Sequence, residues 1–167
     1  MNRWSYSNRR TVEESKPITT KFLNKHHYFN GGVRRGGIDW SRNGEKTGSI
    51  SFVVSTVEGD EYIRFQYTHT DRHSTEKTEL DYRARLDWTP CHFGGRRWWF
   101  ICPLVLNDRA CYRRVGVLYL GNSKYFGCRH CYNLTYESCK ESHKFDSMFL
   151  KMGVDPKMGK QLFKRRL

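Results

Sequence analysis

Apolar and polar residues alternate along the middle of the chain. The runs SISFVVS and EYIRFQYTH place apolar side chains at every second position, and the turn residues Val57-Glu58-Gly59-Asp60 separate them. The following segment, ELDYRARLDW, sets apolar against charged residues with the same period, at Leu80, Tyr82, Ala84 and Leu86. This period is typical of strands with one buried and one solvated face. The pattern therefore predicts an antiparallel β region over residues 33–100.

Helical spacing is restricted to the two ends of the chain. Thr19 or Thr20 can cap a short helix that ends at Asn30-Gly31-Gly32, and residues 1–18 are expected to be disordered or extended. Near the other end, apolar residues recur at spacings of three and four between Lys140 and Met152, and a second short helix is predicted from Asp155. Together with the strands, these segments predict an α+β fold.

Four of the six cysteines are spaced for one metal ion. Cys128 and Cys131 are separated by two residues, the shortest spacing at which a turning backbone offers two thiolates to one ion. The sixteen residues between Cys111 and Cys128 predict a hairpin that returns the chain, and Pro103–Ala110 forms an enlarged loop. We therefore predict one structural Zn²⁺ in a zinc ribbon, because four thiolates leave no open coordination position. The predicted ligands are Cys102, Cys111, Cys128 and Cys131.

Two alternatives to this ligand set stay open at this point. Cys128, Cys131, Cys139 and His143 form a rival C-x2-C-x7-C-x3-H pattern. Alternatively, the cysteines are buried free thiols. Disulfides are disfavoured because thiols stay reduced inside cells, where such spacing usually indicates metal binding.

Three runs between Thr89 and Ser138 carry a resemblance, namely TPCHFGG-R-WWF-CP, RRV-LYL and FGCRHC-NLTYES. In these runs the chain resembles a group of uncharacterised zinc-ribbon proteins of bacterial genomes, phages and mobile elements. A weaker similarity begins at Trp40. The first knuckle in that group is usually a compact Cys-Pro-x-Cys-Gly, so the insertion after Cys102 is a departure, and the position of Cys139 is usually glutamine. The resemblance implies a ribbon over residues 101–138 and carries no settled activity.

The organisation predicted from these signals has four segments. An N-terminal arm and short helix occupy residues 1–32, followed by the β region of residues 33–100. The zinc ribbon covers residues 101–138, and basic C-terminal helices cover residues 139–167.

The charge of the chain indicates a polyanionic partner. The net charge is +13 and the isoelectric point is about 9.7, a balance that favours nucleic acid, DNA or RNA, over an acidic protein or a membrane surface. Paired arginines beside Trp98 and Trp99 suggest phosphate contacts and ring platforms, although core packing is the alternative for both rings. The glycines of VRRGGIDW could form a phosphate-approaching loop, although a turn that enters a strand is favoured. The candidate nucleic-acid-binding residues are Arg34, Arg35, Arg96, Arg97, Arg113, Arg114, Lys124, Arg129, Lys164, Arg165 and Arg166.

The N-terminal residues lack the apolar core of a secretory signal, and no apolar run of eighteen residues occurs. We therefore expect a cytoplasmic protein, in a bacterial cell or phage-infected host as the resemblance implies, with no membrane partner.

Three functions are compatible with the sequence. The first is a non-catalytic zinc-ribbon protein that binds nucleic acid. The second is a small phage-type inhibitor of a host nucleoprotein defence complex, such as a CRISPR effector. The third is a metal-dependent nuclease that would need His69, Asp71 and His73 to converge. Cys91 and His92 are a weak candidate for a catalytic nucleophile and its general base, because neighbours on a strand point to opposite faces.

Overall fold

The alternating pattern produces a six-stranded antiparallel sheet. The computed structural model describes residues 9–70, 76–121, 123–141, 150–153 and 155. In chain order its elements are β1 (Lys16–Thr19), α1 (Thr20–Lys25), β2 (Val33–Arg42), β3 (Glu45–Val57), β4 (Asp60–Thr70), β5 (Lys77–Pro90), β6 (Arg96–Ile101), β7 (Val105–Leu106), β8 (Arg109–Ala110), β9 (Arg114–Val115), β10 (Val117–Leu120), β11 (Phe126–Gly127) and α2 (Glu137–Glu141). The large sheet has the order β2-β3-β4-β5-β6-β9.

One face of the large sheet is the core face. Phe52 of β3 pairs with Phe65 of β4, which pairs with Tyr82 of β5, and directly paired residues share a face. Phe52 and Phe65 are fully buried, as are Ala84 of β5 and Phe100 of β6. The alternation predicted from sequence is therefore confirmed. We call the opposite face, which carries Arg35, Arg64, Arg83 and Arg97, the outward face.

A second, three-stranded sheet covers the core face and has the order β1-β10-β11. Ile18 of β1 pairs with Leu118 of β10, and Leu120 pairs with Phe126 of β11. The ring of Phe126 stacks on Phe65 of the large sheet, with 4.6 Å between centroids. The predicted extended arm of residues 1–18 thus needs correction, because its last residues form a core strand.

Helix α1 follows directly from β1. Thr19 is the N-cap, and its hydroxyl accepts a hydrogen bond of 2.9 Å from Phe22 N, as the sequence predicts. The helix ends at Lys25, before the predicted glycines, and His27 has φ of 60°. Leu23 is its fully buried residue and anchors it to the core.

The paired glycines of VRRGGIDW lie inside β2, so they form neither the strand-entry turn that the sequence favoured nor the alternative phosphate-approaching loop. Gly36 pairs with Phe52 and Gly37 with Ser51 of β3. A Cβ atom on Gly36 would lie 2.6 Å from Cζ of Tyr28. The Tyr28 ring packs edge-on against Phe52, at 4.9 Å between centroids. Glycine is needed here because an aromatic ring occupies the space of its side chain.

The chain forms two compact units, Ser15–Asn133 and a smaller one made of Met1–Glu14 with Leu134–Leu167. In the smaller unit, Val12 N donates to Thr135 O at 2.9 Å and Thr135 N donates to Arg10 O at 3.0 Å. Helix α2 follows, and Glu137 N donates to Glu13 Oε2 at 3.2 Å. These bonds join residues 10–13 to residues 135–137 within this unit.

The described residues are mostly β, with two short helices. The antiparallel sheet of the α+β prediction is confirmed. Most of the predicted C-terminal helices lie outside the described residues. Among the residues that the structure covers, no helix is long and apolar enough to cross a membrane.

Candidate metal centre

Four cysteines from distant parts of the large unit meet in one cluster. The sulfur atoms of Cys102, Cys111, Cys128 and Cys131 all lie within 4.8 Å of one another. The Sγ–Sγ distances are 3.8 Å from Cys102 to Cys131, 3.9 Å from Cys111 to Cys128 and 3.5 Å from Cys128 to Cys131. Sulfurs around an ion at ~2.3 Å in a tetrahedron are about 3.8 Å apart. The spacing therefore fits one tetrahedral metal ion, and it exceeds the ~2.05 Å of a disulfide bond.

The long loop between the first two cysteines is a small β-hairpin. Strands β7 and β8 pair through Val105 with Ala110 and Leu106 with Arg109. The two turn residues, Asn107 and Asp108, have φ of 48° and 60°. Positive φ at both central residues is the hallmark of the tight type I′ turn. The first and last residues of the hairpin therefore lie close together, although eight residues separate its flanking cysteines.

Backbone hydrogen bonds fix the two ends of this hairpin. Cys111 N donates to Leu104 O at 2.9 Å, and Cys102 N donates to Arg113 O at 3.0 Å. The predicted enlarged loop thus holds Cys102 and Cys111 as firmly as a short one would. The additional residues between Cys102 and Cys111 extend the tip of the hairpin and do not displace the two sulfurs.

The second cysteine pair lies on a tight turn after β11. Cys131 N donates to Sγ of Cys128 at 3.5 Å, and Cys128 N donates to Sγ of Cys102 at 3.3 Å. Such N–H donors favour a negatively charged sulfur. The backbone is therefore already arranged to stabilise thiolates.

The thiols are coupled through hydrogen bonds. A hydrogen bond from Cys102 lowers the pKa of Cys128 to about 4, with help from Cys131 N–H. The same hydrogen bond and burial raise the pKa of Cys102, and burial raises the pKa of Cys131 to about 12. These hydrogen bonds thus favour the thiolate form of Cys128. A metal ion competes with protons for the remaining sulfurs, because only a thiolate binds metal.

Half-buried tyrosines connect β11 to the large sheet. Phe126 N donates to the Tyr82 hydroxyl at 2.7 Å, and the Tyr67 hydroxyl donates to Lys124 O. Burial raises the pKa of Tyr82 to about 12 and raises that of Tyr67. Both hydroxyls therefore remain neutral donors and acceptors, and they hold the segment that leads into Cys128.

Gly127 leaves room for the side chains that support the cluster. A Cβ atom there would lie 2.8 Å from Cγ of Leu104 and 2.9 Å from Cε2 of Tyr132. We expect Gly127→Ala to lower the free energy of unfolding by about 1–3 kcal/mol, because an added methyl in a filled space forces neighbours to move. Thermal denaturation measures the change in stability, and metal titration measures any accompanying change in metal affinity. Gly116→Ala is the control, since its nearest atom beyond the neighbouring residues, Thr20 Oγ1, is 3.7 Å away. Equal stability of the two variants would contradict this account.

The other metal candidates are not brought together in the described residues. Cys139 is exposed in α2, and His143 lies outside the described residues. His69 pairs with Thr78 on neighbouring strands, whereas Asp71 and His73 lie outside. Cys91 and His92 are exposed after β5. Across the described ranges, the four-cysteine group is the one that brings three or more potential ligands within reach of one ion.

The paired arginines of β2 and β6 are divided between the two faces of the sheet. Arg35 pairs with Val53 on the outward face, whereas Arg34 pairs with the buried Val54. In β6, Arg97 likewise lies on the outward face, and Arg96 lies on the opposite face. Each pair therefore supplies one outward charge.

The remaining predicted cations have varied environments. Arg114 forms an ion pair with Asp87 at 2.6 Å, and Lys124 donates to Thr78 at 3.1 Å. The guanidinium of Arg113 lies 3.9 Å from the sulfur of Cys111, and Arg129 is half-buried. Lys164, Arg165 and Arg166 lie outside the described residues.

Sequence reasoning missed four outward-face residues. They are Tyr62 and Arg64 of β4 and Arg83 and Arg85 of β5. Arg83 pairs with Arg64, and Arg85 with Tyr62. Their signal was present, because the alternation that buries Ile63 and Ala84 turns these neighbours outward.

The aromatic rings near the arginines also separate by face. Trp98 is buried and stacks on Phe29, at 5.0 Å between centroids. Trp99 is half-buried on the outward face, where the Arg97 guanidinium lies 4.2 Å from its ring centroid. Of the two adjacent tryptophans, one is therefore a core residue and the other is a surface ring.

Comparisons of the chain with protein-family models, with curated proteins and with solved structures found no match.

Proposed function

We propose that this chain is a non-catalytic zinc-ribbon protein that binds nucleic acid through the outward face of its large sheet. The four-cysteine cluster would hold one Zn²⁺ with a structural role. The row of arginines across the outward face is the observation that carries the binding function.

The cluster supports zinc by its chemistry as well as its spacing. Soft thiolate ligands in a tetrahedron suit zinc and iron, and zinc is the usual occupant of four-cysteine knuckles. A closed set of four thiolates leaves no position for water or substrate. The ion would therefore stabilise the chain between β6 and β11 and perform no catalysis.

The outward face supports a polyanionic ligand. Direct pairing places Arg35, Val53, Arg64 and Arg83 in one row across four strands. Arg64 and Arg83 are direct neighbours, and like charges in this position destabilise a sheet. Asp81 accepts a bidentate bond from Arg64 and compensates in part. A local arrangement that costs stability is expected at a functional surface.

Three outward arginines have no carboxylate partner within the described part of the chain. Arg35, Arg85 and Arg97 are exposed and form no ion pair there, whereas Arg114 pairs with Asp87. Guanidinium groups in this state bind phosphate oxygens well, because their planar donors match the anion geometry. The net charge of +13 would add a long-range attraction to nucleic acid.

The arginine pairs provide a matched test of the binding face. We expect Arg35→Gln with Arg97→Gln to weaken nucleic-acid binding about tenfold or more, since each lost contact is a charged hydrogen bond. The control, Arg34→Gln with Arg96→Gln, removes the same charge from the same strands on the opposite face. Fluorescence anisotropy of zinc-loaded protein with labelled DNA and RNA, across a salt series, measures both variants.

The salt dependence identifies the type of contact. On a log–log plot, the binding constant falls with salt concentration with a slope of about 0.9 per phosphate contact on a duplex, or about 0.7 on a single strand. The double variant Arg35→Gln with Arg97→Gln should lower this slope by nearly the amount that two phosphate contacts contribute. Equal losses in both double variants would contradict a binding face. Absence of binding to every nucleic acid at physiological salt would overturn the function and favour an acidic protein partner.

A further inference from the structure

We infer that the ligand of the outward face is single-stranded nucleic acid, whose bases stack at two arginine-covered rings, Tyr62 and Trp99. This inference rests on the proposed function and specifies its ligand class. It is carried by the geometry of the two rings and their guanidinium partners.

Both rings are covered by a guanidinium, Tyr62 on β4 and Trp99 on β6, the two strands that flank β5. The Arg83 guanidinium carbon lies 4.1 Å from the Tyr62 ring centroid, and that of Arg97 lies 4.2 Å from the Trp99 centroid. Such contacts are cation–π interactions. Each ring thereby holds a guanidinium next to it on the solvent side of the sheet. The surface presents two flat, cationic platforms instead of two mobile side chains.

The orientation of Trp99 is fixed further by a hydrogen bond. Its Nε1 donates to Oγ1 of Thr89 at 3.1 Å, across the β5–β6 pair. Trp99 pairs directly with Asp87, which itself binds Arg114. The polar edge of the indole is therefore satisfied by the protein, and a base would stack on the Arg97 guanidinium that covers the ring.

The distance between the platforms suits two bases of an extended strand that are separated by one intervening nucleotide. Tyr62 pairs with Arg85 of β5 on one side, and Trp99 pairs with Asp87 of β5 on the other. Two strand spacings across the sheet and two residues along it place the rings roughly 12 Å apart. Arg85 lies between them without a carboxylate partner in the described residues. It is positioned for a backbone phosphate between the two stacked bases.

Duplex nucleic acid cannot use these platforms. Its base faces are covered by their own stacking neighbours, and only phosphates and groove edges are accessible. Groove readers insert a helix or a two-stranded ribbon, whereas bases of a single strand stack on aromatic rings and on guanidinium planes. The rings of the outward face lie within a broad sheet. A single strand can therefore gain both phosphate and stacking contacts, whereas a duplex gains only the first.

The test separates stacking from charge. We expect Tyr62→Leu with Trp99→Leu to weaken binding of a labelled pyrimidine single strand about tenfold to a hundredfold, since base stacking on each ring contributes strongly. The salt slope should stay unchanged, because no cation is removed. Binding of a duplex hairpin should be unaffected. Tyr62→Phe with Trp99→Phe should retain single-strand affinity within about threefold, because a ring remains at both positions.

Trp88→Leu provides the matched control. Arg96 covers the Trp88 ring at 4.2 Å, and this pair lies on the opposite side of the sheet from Trp99. Its loss should leave single-strand affinity unchanged, with folding of every variant checked by thermal denaturation.

The outcomes distinguish this inference from the proposed function. Equal affinity for duplex and single strand, together with unchanged binding by the leucine double variant, overturns the inference. If Arg35 and Arg97 still govern binding in that case, the proposed function stands. If no nucleic acid binds and an acidic polypeptide such as poly-glutamate does, both are wrong.

Discussion

Loss of the proposed Zn²⁺ is expected when Cys128 is replaced by serine. Cys128 is fully buried, and its sulfur lies near those of Cys111 and Cys131. Structural zinc contributes roughly 10–16 kcal/mol to the folding of small zinc domains, so removing one of four thiolates should lower metal affinity at least about 100-fold. Elemental analysis of the purified variant and a chelator competition measure this loss.

The same substitution should reduce stability, because the metal is proposed to hold the chain between β6 and β11. We expect a lower melting temperature and increased protease cleavage between residues 102 and 131. Cys91→Ser is the control, since Cys91 is exposed and does not belong to the four-cysteine group. Retention of zinc by Cys111→Ser, with loss on Cys139→Ser, would show that the rival ligand set is correct, because that set contains Cys139 and lacks Cys111.

A large loss of stability is also expected for Phe126→Ala. Phe126 is fully buried, stacks on Phe65 and meets Tyr67 edge-on at 5.9 Å between centroids. Replacing a buried phenylalanine by alanine typically costs about 3–5 kcal/mol, because both burial and packing are lost. For a chain of this size we expect the melting temperature to fall by about 10 °C.

Phe126 lies two residues before Cys128, so the cavity should also weaken metal binding. Chemical denaturation with and without added zinc separates the two effects. Phe93→Ala is the control, because that phenylalanine is 98% exposed and its loss should change the free energy of unfolding by less than about 0.5 kcal/mol. Similar destabilisation by both variants would show that Phe126 does not join the two sheets.

The parts of the fold that depend on local pattern could be predicted from the sequence. Strict alternation around Ala84 identifies a half-buried strand without any knowledge of its partners. The two-residue spacing of Cys128 and Cys131 likewise needs only local geometry. The grouping of all four cysteines was predictable because a hairpin returns the chain between Cys111 and Cys128. These predictions require no knowledge of long-range pairing.

The features that sequence reasoning missed depend on partners far along the chain. The segment Lys16–Thr19 has no strong pattern, and it is a strand because β10 pairs with it about 100 residues later. The glycines of β2 resemble a loop until Tyr28 is seen to occupy the space beside Gly36. Arg64 and Arg83 become a charged row only when β4 and β5 are placed in register. Tertiary pairing decides each of these cases.

Because the segment between Cys102 and Cys111 is a hairpin, its number of residues can change without moving its two ends. Its strands pair with each other, and the bond from Cys111 N to Leu104 O closes it below the turn. Residues added at Asn107 and Asp108 would extend the tip into solvent, and the sulfurs would stay where they are. This turn is therefore a natural point of variation, at which related chains can differ in length and protein engineers can graft a peptide.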